Sequence, residues 1–448
     1  ILGAGNDPDL SFISIIGMAG IGKTTLAKVV YNDDDVMYHF DVKIWICVSK
    51  ESNTFRILQH MLESLTHHPV DEMSIETVLL KLLERLKGKK YLLVLDDVWK
   101  QDYSMWDSFT QCLLKLGGSR GSKILVTTRL QQVADLFKPG STYKVNFLPE
   151  DYCWELFRQI AVEGSGLEMT QQLEQVGRTI VYSCGGLPLA VKAMASIARF
   201  RRIEDWDKIA INEAPGSEFV DDVLKLSYDN LPSISLKQCF LYCSIFPKGS
   251  VMEKDELIQL WMAQGLLNPP QGRNLSMEDL GAEYLDIFVR TSILQDAELD
   301  EVDGKKFYKM HDLLHDLALS LSNYQCSIME GIKVGTDDFG VHLSVINCEV
   351  SVSQPSTNKY ERLRTLHWVN SGVLGDVLRY TTSLRVLIVV DSLLEELPDL
   401  ISRLKLLYYL DISKTKIQRL PDSISTLYNL QTLRLYDLME LPKNFENL

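Results

Sequence analysis

The stretch GMAGIGKTT, residues 17 to 25, decides the fold of the first part of the chain. It matches the pattern G-x-x-x-x-G-K-[ST] of a phosphate-binding loop, which has structural meaning when it follows a strand and opens a helix. Here it follows the apolar run FISIIG (12–17) and precedes LAKVVY (26–31). We therefore predict a strand, a glycine-rich loop and a helix in this order, with a nucleotide at the loop.

Each residue type in this loop has a separate task. Gly17, Gly20 and Gly22 allow the backbone to turn its N–H groups inward around a phosphate. Lys23 can neutralise oxygens of the β- and γ-phosphates, and the hydroxyl of Thr24 can hold Mg²⁺. A glycine-rich stretch alone could be a plain turn, so the flanking strand and helix are what favour a nucleotide site.

Further strands extend the prediction over roughly the first 140 residues. Short apolar runs alternate with helical segments such as IETVLLKLLERLKGKK (75–90), in which Gly88 stands where a helix C-cap belongs. Nearly continuous apolar strands separated by helices indicate a parallel α/β sheet. The predicted strands are FISIIG (12–17), IWICVS (44–49), YLLVLDD (91–97) and SKILVTTR (122–129).

Charged residues stand at the ends of two of these strands. Asp96 is expected to hold the metal, directly or through water, because Mg²⁺ keeps several of its waters. Asp97 should point the other way from its neighbour, so it is the better candidate to orient or deprotonate an attacking water. Arg129, at the end of the other strand, can reach a γ-phosphate and report its presence.

The pattern changes twice after the predicted sheet. Residues 145 to 325 are mostly helical, and SILQDAELDEVDGKKFYKMHD (292–312) is typical of two short strands and a helix in a winged helix. In the last ~85 residues Leu384, Leu407 and Leu430 are 23 residues apart, within the pattern L-x-x-L-x-L that predicts a leucine-rich repeat. A heptad helix is excluded because Pro398, Pro421 and Pro442 recur with nearly the same period.

These patterns together predict a multidomain α/β plus α protein. Both chain ends are expected to be cut from a longer protein, because the first residue is not Met and the last repeat has no cap. The predicted order is a P-loop NTPase parallel sheet (1–143), a small helical bundle (144–215), a winged helix (216–325) and the start of a leucine-rich-repeat solenoid (326–448).

Composition excludes several classes of protein. The 448 residues are 46% hydrophobic and 24% charged, which is ordinary for a folded protein, and no apolar run approaches the ~20 residues of a membrane span. A net charge of −14, with 9 Lys and Arg against 18 Asp and Glu in residues 218 to 325, argues against nucleic acid on the winged helix. Eight scattered cysteines without paired spacing favour a reducing, cytoplasmic compartment.

The motifs, in this order, resemble the nucleotide-binding leucine-rich-repeat disease-resistance proteins of plants, relatives of the apoptotic protease-activating factor. The resemblance covers nearly the whole chain. Trp99 at the end of LDDVW resembles the residue found there in the class with an N-terminal coiled coil. It implies a fragment that lacks this coiled coil and most of the repeats. Beyond the phosphate loop it rests on FDVKIWICVS (40–49), GSKILVTTR (121–129), CGGLPLA (184–190), LKLSYDNLP (224–232), CFLYCSIFPKG (239–249) and MHD (310–312).

The resemblance implies roles for further residues. Pro188 would pack on the adenine, and His311 would approach the β-phosphate of ADP and lock the winged helix onto the nucleotide. The roles argued above carry over to Lys23, Thr24, Thr25, Asp96, Asp97 and Arg129. The implied protein is an ADP/ATP switch of innate immunity that is inactive with ADP and oligomerises after exchange of ADP for ATP. Its repeats would bind a pathogen effector or a guarded host protein. No nucleic acid or membrane partner is expected.

Several residues allow a second interpretation. His311 and His315 superficially match the zinc helix H-E-x-x-H, but that motif needs Glu directly after the first His, so we expect His315 to be packed or solvated. Cys239 and Cys243 are expected in the core, and the acidic run YNDDDV (31–36) in a solvated loop. For function, the alternatives are an ATPase with turnover above about 1 s⁻¹ and a repeat scaffold with a vestigial nucleotide site.

Overall fold

The computed structural model divides the chain into two units, Ile1–Phe219 (unit 1) and Val220–Leu448 (unit 2). The described residues are 10–48, 53–66, 73–99, 102–137, 140–163, 170–208, 219–269, 275–297, 304–323, 325–330, 340–348, 360–371, 374–391, 394–436, 439–443 and 445–447.

Unit 1 is built on a parallel five-stranded sheet, in the order β2-β3-β4-β1-β5. The four predicted strands are present, and the central positions of β3 and β4 are buried on both faces, as expected for a sheet covered by helices. The strands are β1 Leu10–Ile16, β2 Val42–Cys47, β3 Tyr91–Val98, β4 Ser122–Thr128 and β5 Ser141–Lys144.

Among the described residues, six α-helices connect and cover these strands. The predicted glycine stop is confirmed, because α4 ends at Leu86 and Gly88 follows with φ 71°. The helices are α1 Lys23–Tyr31, α2 Asp34–His39, α3 Thr54–Thr66, α4 Ile75–Leu86, α5 Tyr103–Lys115 and α6 Gln131–Leu136.

One local prediction for unit 1 is wrong, and one strand was not predicted. The acidic run is not a loop, because Asp34 and Asp35 form the first turn of α2, and the Asp33 side chain accepts a hydrogen bond from the N–H of Val36 at 3.2 Å. Carboxylates at a helix start are stabilised by the exposed N–H groups there, and this outweighs the loop tendency of Asp. The strand that was not predicted is β5, whose residues are all exposed and carry no apolar pattern.

Three helices follow β5 in unit 1. They are α7 Glu150–Ala161, α8 Gln171–Ser183 and α9 Pro188–Phe200. Gly177 on α8 lies against Trp154 of α7, where an added Cβ would come within 2.4 Å of the ring, so a small residue is needed for this close packing. Trp206, in the 3₁₀ turn Ile203–Lys208, is fully buried against Phe157 and donates its indole N–H to the carbonyl of Ala198.

Unit 2 begins with a winged helix. Its three short strands form an antiparallel sheet in the order β6-β8-β7, and the predicted pair of strands before the MHD helix is present. Cys239 and Cys243 are buried in this part, as predicted. The elements are α10 Phe219–Asp229, α11 Ile234–Tyr242, β6 Val251–Glu253, α12 Lys254–Gln264, α13 Met277–Arg290, β7 Leu294–Asp296, β8 Phe307–Met310 and α14 Asp312–Leu321.

A six-stranded parallel sheet completes the described part of unit 2, and its last three strands recur with the 23-residue period of the leucines. Leu387, Leu410 and Leu433 pair across neighbouring strands, as the 23-residue period requires, and Leu343 and Leu366 extend the row towards the N-terminus. The chain returns through 3₁₀ turns that begin directly after Pro398 and Pro421. The elements are β9 Cys326–Glu330, β10 His342–Ile346, β11 Thr365–Val369, α15 Leu374–Leu378, β12 Val386–Asp391, β13 Tyr409–Thr415 and β14 Thr432–Arg434.

The strand face of this sheet contacts the winged helix within unit 2. The hydroxyl of Thr365 on β11 meets the side-chain amide of Gln264 at 2.9 Å and the hydroxyl of Tyr242 at 3.2 Å. On β14, the Arg434 guanidinium lies 2.9 Å from a carboxylate oxygen of Glu253, at the start of α12. The prediction of a partner on the repeats is not tested by these contacts, but this part of the face already holds a segment of the same chain.

No helix among the described residues is long and apolar enough to cross a membrane.

Candidate functional site

The phosphate loop lies between β1 and α1 in unit 1. Gly22 caps α1 in the left-handed conformation, with φ 100°, and its carbonyl accepts the N–H of Leu26 at 2.9 Å. The Lys23 side chain is buried, and its Nζ donates to the carbonyl of Met18 at 3.1 Å, across the mouth of the loop. The first N–H groups of α1 and the lysine ammonium are therefore held at one small curve of backbone, which is the arrangement that binds phosphate.

Gly20 is fixed by packing as well as by the turn. Its φ of 75° is rarely adopted by other residues, and an added Cβ would lie 2.7 Å from the Cβ of Leu189. The N–H of Leu189 also donates to the Gly20 carbonyl at 3.3 Å. Since Leu189 follows Pro188 at the start of α9, the CGGLPLA segment directly contacts the phosphate loop within unit 1.

Thr24 and Asp96 meet below this loop. The Thr24 hydroxyl donates to the Asp96 carboxylate, with distances of 2.9 Å to Oδ1 and 3.2 Å to Oδ2. Asp96 is 4% exposed, so its charge is held close to this hydroxyl with little screening by water. The two residues predicted to hold the metal, 72 positions apart, therefore lie next to each other, while the binding of a metal stays a prediction.

Asp96 and Asp97 form a bulge in β3. In the pairing of β3 with β4, Leu95 is opposite Val126 and Val98 is opposite Thr128. Two residues of β3, Asp96 and Asp97, therefore correspond to the single residue Thr127 of β4. Asp97 has φ 58°, a left-handed conformation that Asp tolerates better than most residues. The regular alternation assumed in the sequence prediction is therefore interrupted at the very residues that carry the chemistry.

Asp97 and Arg129 lie next to each other. A carboxylate oxygen of Asp97 is 3.7 Å from Nη2 of Arg129, and the guanidinium lies over the Trp99 ring, 4.1 Å from its centroid. The ring supports the guanidinium by a cation–π contact, while the ion pair orients it. The three residues at the ends of β3 and β4 thus form one partly exposed cluster beside Asp96.

His311 lies in unit 2, at the start of α14. It is the N-cap of this helix, and its Nδ1 accepts the N–H of Leu313 at 3.2 Å. His315 is buried one turn later, and its Nε2 is 2.7 Å from the carbonyl of Phe246. Burial lowers the pKa of His315, which favours the neutral imidazole. Of the two expected states, packed or solvated, the packed one is observed.

Comparisons with known proteins agree with this geometry. Residues 2–166 match the NB-ARC domain, and residues 245–318 match the disease resistance protein winged helix domain. The chain therefore contains an NB-ARC domain and a winged helix of the disease resistance type. This confirms the family resemblance and the predicted P-loop and winged-helix fold.

Similar NB-ARC proteins come from several plants. Disease resistance protein RGA2 of Solanum bulbocastanum is 40% identical over 80% of this chain and 37% of its own length. Disease resistance protein RPM1 of Arabidopsis thaliana is 32% identical over 95% of this chain and 45% of its own. The chain spans about half or less of the curated relatives that it matches, from 31% to 52% in the examples found.

A solved structure with a weaker likeness is the signal transduction ATPase with a tetratricopeptide repeat sensor from Pyrococcus horikoshii. Its TM-score is 0.41 and its identity 16%, over 70% of this chain and 41% of that one.

The donor set of the NB-ARC domain suits Mg²⁺. A hydroxyl and a carboxylate at the carboxyl end of a parallel sheet supply two hard oxygen ligands, and Mg²⁺ prefers to keep waters in its remaining positions. Thr24 and Asp96 are the residues that would hold the ion. When bound, the ion would supply positive charge that neutralises the phosphate oxygens of a nucleotide.

One residue of the NB-ARC site was not predicted. Thr127 is fully buried between the two aspartates, and its hydroxyl donates to Oδ1 of Asp96 at 2.6 Å while accepting the N–H of Asp97 at 2.8 Å. The signal in the sequence was a polar residue inside the buried run ILVTT, where an unpaired hydroxyl would be costly. Its partner could not be read from the sequence, because the bulge changes the register.

The remaining predicted residues have the following places. Gly17 donates its N–H to the Thr128 carbonyl at 3.3 Å, which joins the loop to β4. Thr25 is exposed on the first turn of α1, and Pro188 occupies the first turn of α9, half-buried. Their contacts with phosphate and adenine, and that of His311 with ADP, remain predictions.

Proposed function

We propose that this chain is the nucleotide-controlled core of a plant immune receptor, held inactive by ADP and activated by exchange for ATP. Nucleotide binding is supported by the NB-ARC match and by the intact phosphate loop. An immune role is supported by the disease resistance proteins that it resembles. Oligomerisation after exchange and recognition of an effector or guarded host protein belong to the same proposal, as does a cytoplasmic location.

The observation that carries the proposal is the contact of Thr24 with Asp96 beneath a loop whose Gly20 is packed against Leu189. The first contact supplies the metal-binding oxygens that a nucleoside diphosphate or triphosphate needs. The second brings the helical segment that starts at Pro188 to the loop backbone. A vestigial site would be expected to have lost at least one of these matched partners.

Asp97 supports slow hydrolysis rather than rapid turnover. A general base must be within hydrogen-bond reach of the water that it activates, and Asp97 is partly exposed at the end of β3. Its carboxylate already lies 3.7 Å from the Arg129 guanidinium, so it would have to leave this ion pair to accept a proton from water. We therefore propose hydrolysis as a reset of the switch, in which each nucleotide shifts the equilibrium by its differential affinity for two states.

The nucleotide content of the purified protein tests this function. The protein is denatured, and the released nucleotide is identified by chromatography. We expect ADP from the wild type and little from Lys23→Arg, because a guanidinium cannot occupy the compact position of the ammonium. Lys28→Arg, the same change later on α1, is the matched control and should retain ADP. Wild-type protein without nucleotide, and without a thermal shift on addition of ADP and Mg²⁺, would contradict the proposal.

The proposed role of His311 needs a separate test, because this residue also caps α14. His311→Asn removes the imidazole but supplies a preferred N-cap, whereas His311→Ala removes both. We expect both variants to release ADP faster than the wild type. Faster release from the alanine variant alone would assign His311 to the cap and remove it from the nucleotide site.

A further inference from the structure

The carboxylate of Asp96 is held from two sides. On the loop side it accepts the hydroxyl of Thr24, and on the sheet side it accepts the hydroxyl of Thr127. The distance of 2.6 Å from Thr127 is in the range of hydrogen bonds to a charged carboxylate, which are stronger than those between neutral groups. The hydrogen bond from Thr127, at 2.6 Å, is shorter than that from Thr24, at 2.9 Å.

The orientation of the Thr127 hydroxyl is determined by its two partners. The Asp97 N–H can only donate, so the Thr127 oxygen accepts from it at 2.8 Å. The single hydroxyl proton is then directed to Oδ1 of Asp96. Because Thr127 is fully buried, water does not compete for either bond.

The bulge gives this arrangement its geometry. In a regular parallel pair Asp97 would be opposite Thr128, but here Asp96 and Asp97 share Thr127 and the next pair is Val98 with Thr128. The extra residue turns the Asp97 peptide so that its N–H reaches the Thr127 oxygen, at the strain of a left-handed aspartate. Bulges often re-aim a side chain beside a functional site.

We propose that Thr127 is a positioning residue that fixes the Asp96 carboxylate for Mg²⁺ and couples it to the bulge carrying Asp97. This rests on the proposed function, and it concerns the metal rather than the nucleotide itself. Thr127 holds Oδ1, the carboxylate oxygen that is also nearer to the Thr24 hydroxyl, so that the group keeps a single orientation. Partners of a ligand in this position typically change metal affinity by roughly 10- to 100-fold when they are removed.

Thr128 provides a matched control on the same strand. Its hydroxyl is also buried and also forms two bonds, donating to the Val98 carbonyl at 2.7 Å and accepting the N–H of Leu130 at 3.1 Å. Both bonds go to the backbone and neither to a carboxylate. Thr128→Val therefore removes as many hydrogen bonds as Thr127→Val from the next position of β4.

The experiment measures binding of a fluorescent ADP analogue to the full chain, first in EDTA and then in a Mg²⁺ titration. For Thr127→Val we expect affinity in EDTA close to that of the wild type, and a Mg²⁺ concentration for half of the affinity gain that is about 10-fold higher or more. Thr127→Ser keeps the hydroxyl and should restore the wild-type titration. Thr128→Val should lower thermal stability but leave the Mg²⁺ titration unchanged.

Each result has one meaning. A Mg²⁺ titration of Thr127→Val that matches the wild type, or an equal shift in Thr128→Val, overturns the assignment. If Thr127→Val does not fold, Thr127→Cys, with its weaker S–H donor, must show the same direction of shift. Wild-type protein that binds the analogue but gains nothing from Mg²⁺ overturns this inference alone. Wild-type protein that binds no analogue at all overturns the proposed function and this inference with it.

Discussion

The two large parallel sheets of the molecule carry their polar side chains in different places. In unit 1 the centres of β3 and β4 are apolar on both faces, and the polar groups Asp96, Asp97 and Thr127 stand at the carboxyl ends. In unit 2 the buried polar groups Thr365 and His367 stand within a strand, on the face that contacts the winged helix.

The difference follows from what covers each sheet. In a doubly covered parallel sheet the carboxyl ends of the strands are the places where polar side chains can reach a ligand, and such folds bind ligands at that edge. A solenoid sheet has one face in its own core, while the other can accept a polar partner. The first sheet is therefore suited to a small ligand at its edge, and the second to a protein segment across its face.

Acid should break the second sheet before the first. Burial, with the charge of Arg364 adding, lowers the pKa of His342 to about 4, and burial with Lys414 lowers that of His367 to about 4. The unfolded chain binds these protons near pH 6.5, so unfolding becomes easier as the pH falls from 6.5 towards 4. The loss reaches roughly 3 kcal/mol for each histidine, and nothing is lost above about pH 7.

Hydrogen exchange read by mass spectrometry separates the two sheets. After correction for the intrinsic pH dependence of exchange, amides of β10 and β11 should lose protection at about pH 5 relative to about pH 7.5, more than those of β3 and β4. His342→Gln should reduce the difference, since glutamine does not titrate. Equal loss in both sheets would contradict the assignment of the acid sensitivity to these histidines.

Gly20→Ala should destabilise the phosphate loop beside the carboxyl edge of the first sheet. The left-handed backbone costs about 1–2 kcal/mol, and the clash with Leu189 adds roughly 1–3 kcal/mol to the loss of folding free energy. Gly22→Ala is the control, because its φ is also positive but no atom lies within 4 Å of the added Cβ. Denaturant unfolding without nucleotide should show a larger loss of folding free energy for Gly20→Ala than for Gly22→Ala, and equal losses would contradict the close packing against Leu189.

Arg434→Leu should weaken the face of the second sheet. The guanidinium lies 2.9 Å from Glu253 and 3.5 Å from both Glu256 and Asp411. Burial raises the pKa of Glu253, but the hydrogen bonds from Arg434 and Lys305 outweigh this and hold the pKa below its usual range. Removing the cation leaves three carboxylates facing one another, at a cost of about 2–3 kcal/mol after allowance for partial exposure.

The control for this change is Arg419→Leu. Its ion pair with Glu440, at 3.9 Å, is exposed on both sides and should contribute at most about 0.5 kcal/mol. Comparable midpoints of urea unfolding for the two variants would show that Arg434 does not stabilise the contact of β14 with α12.

The smallest expected effect is that of Tyr242→Phe. It removes one of three polar partners of the Thr365 hydroxyl and leaves Gln264 and His342, both at 2.9 Å. Since the hydroxyl stays satisfied, we expect a loss of about 0.5–1.5 kcal/mol. Tyr428→Phe, at a largely exposed tyrosine of the same unit, should change nothing measurable in the same thermal unfolding experiment.

The fold could be predicted where one residue pattern determines one local structure. The phosphate loop requires a strand before Gly17 and a helix after Gly22, and the 23-residue leucine period requires one strand per repeat. Thr24 and Asp96 were each assigned to the same metal ion from their motifs, and their side chains do lie next to each other. Family motifs then extended this to the winged helix.

What could not be predicted depends on register or on distant packing. The bulge at Asp96 and Asp97 leaves no mark in the sequence, so Thr127 was missed as the residue between them. The contact of Leu189 with Gly20 joins segments far apart in the chain, and no local pattern encodes it. His311 was assigned only to the nucleotide, although a residue before a helix of apolar periodicity can also be its N-cap.

The contact of Arg434 with Glu253 has a consequence for chimeric proteins. A hybrid that takes its repeats from a relative but keeps this winged helix would place a foreign side chain opposite Glu253 and Glu256. Such a hybrid keeps this ion pair only where the relative also has a cation at this position, whereas a junction at residues 219 and 220 transfers both partners together. The first repeats and the winged helix are therefore best exchanged as a single cassette.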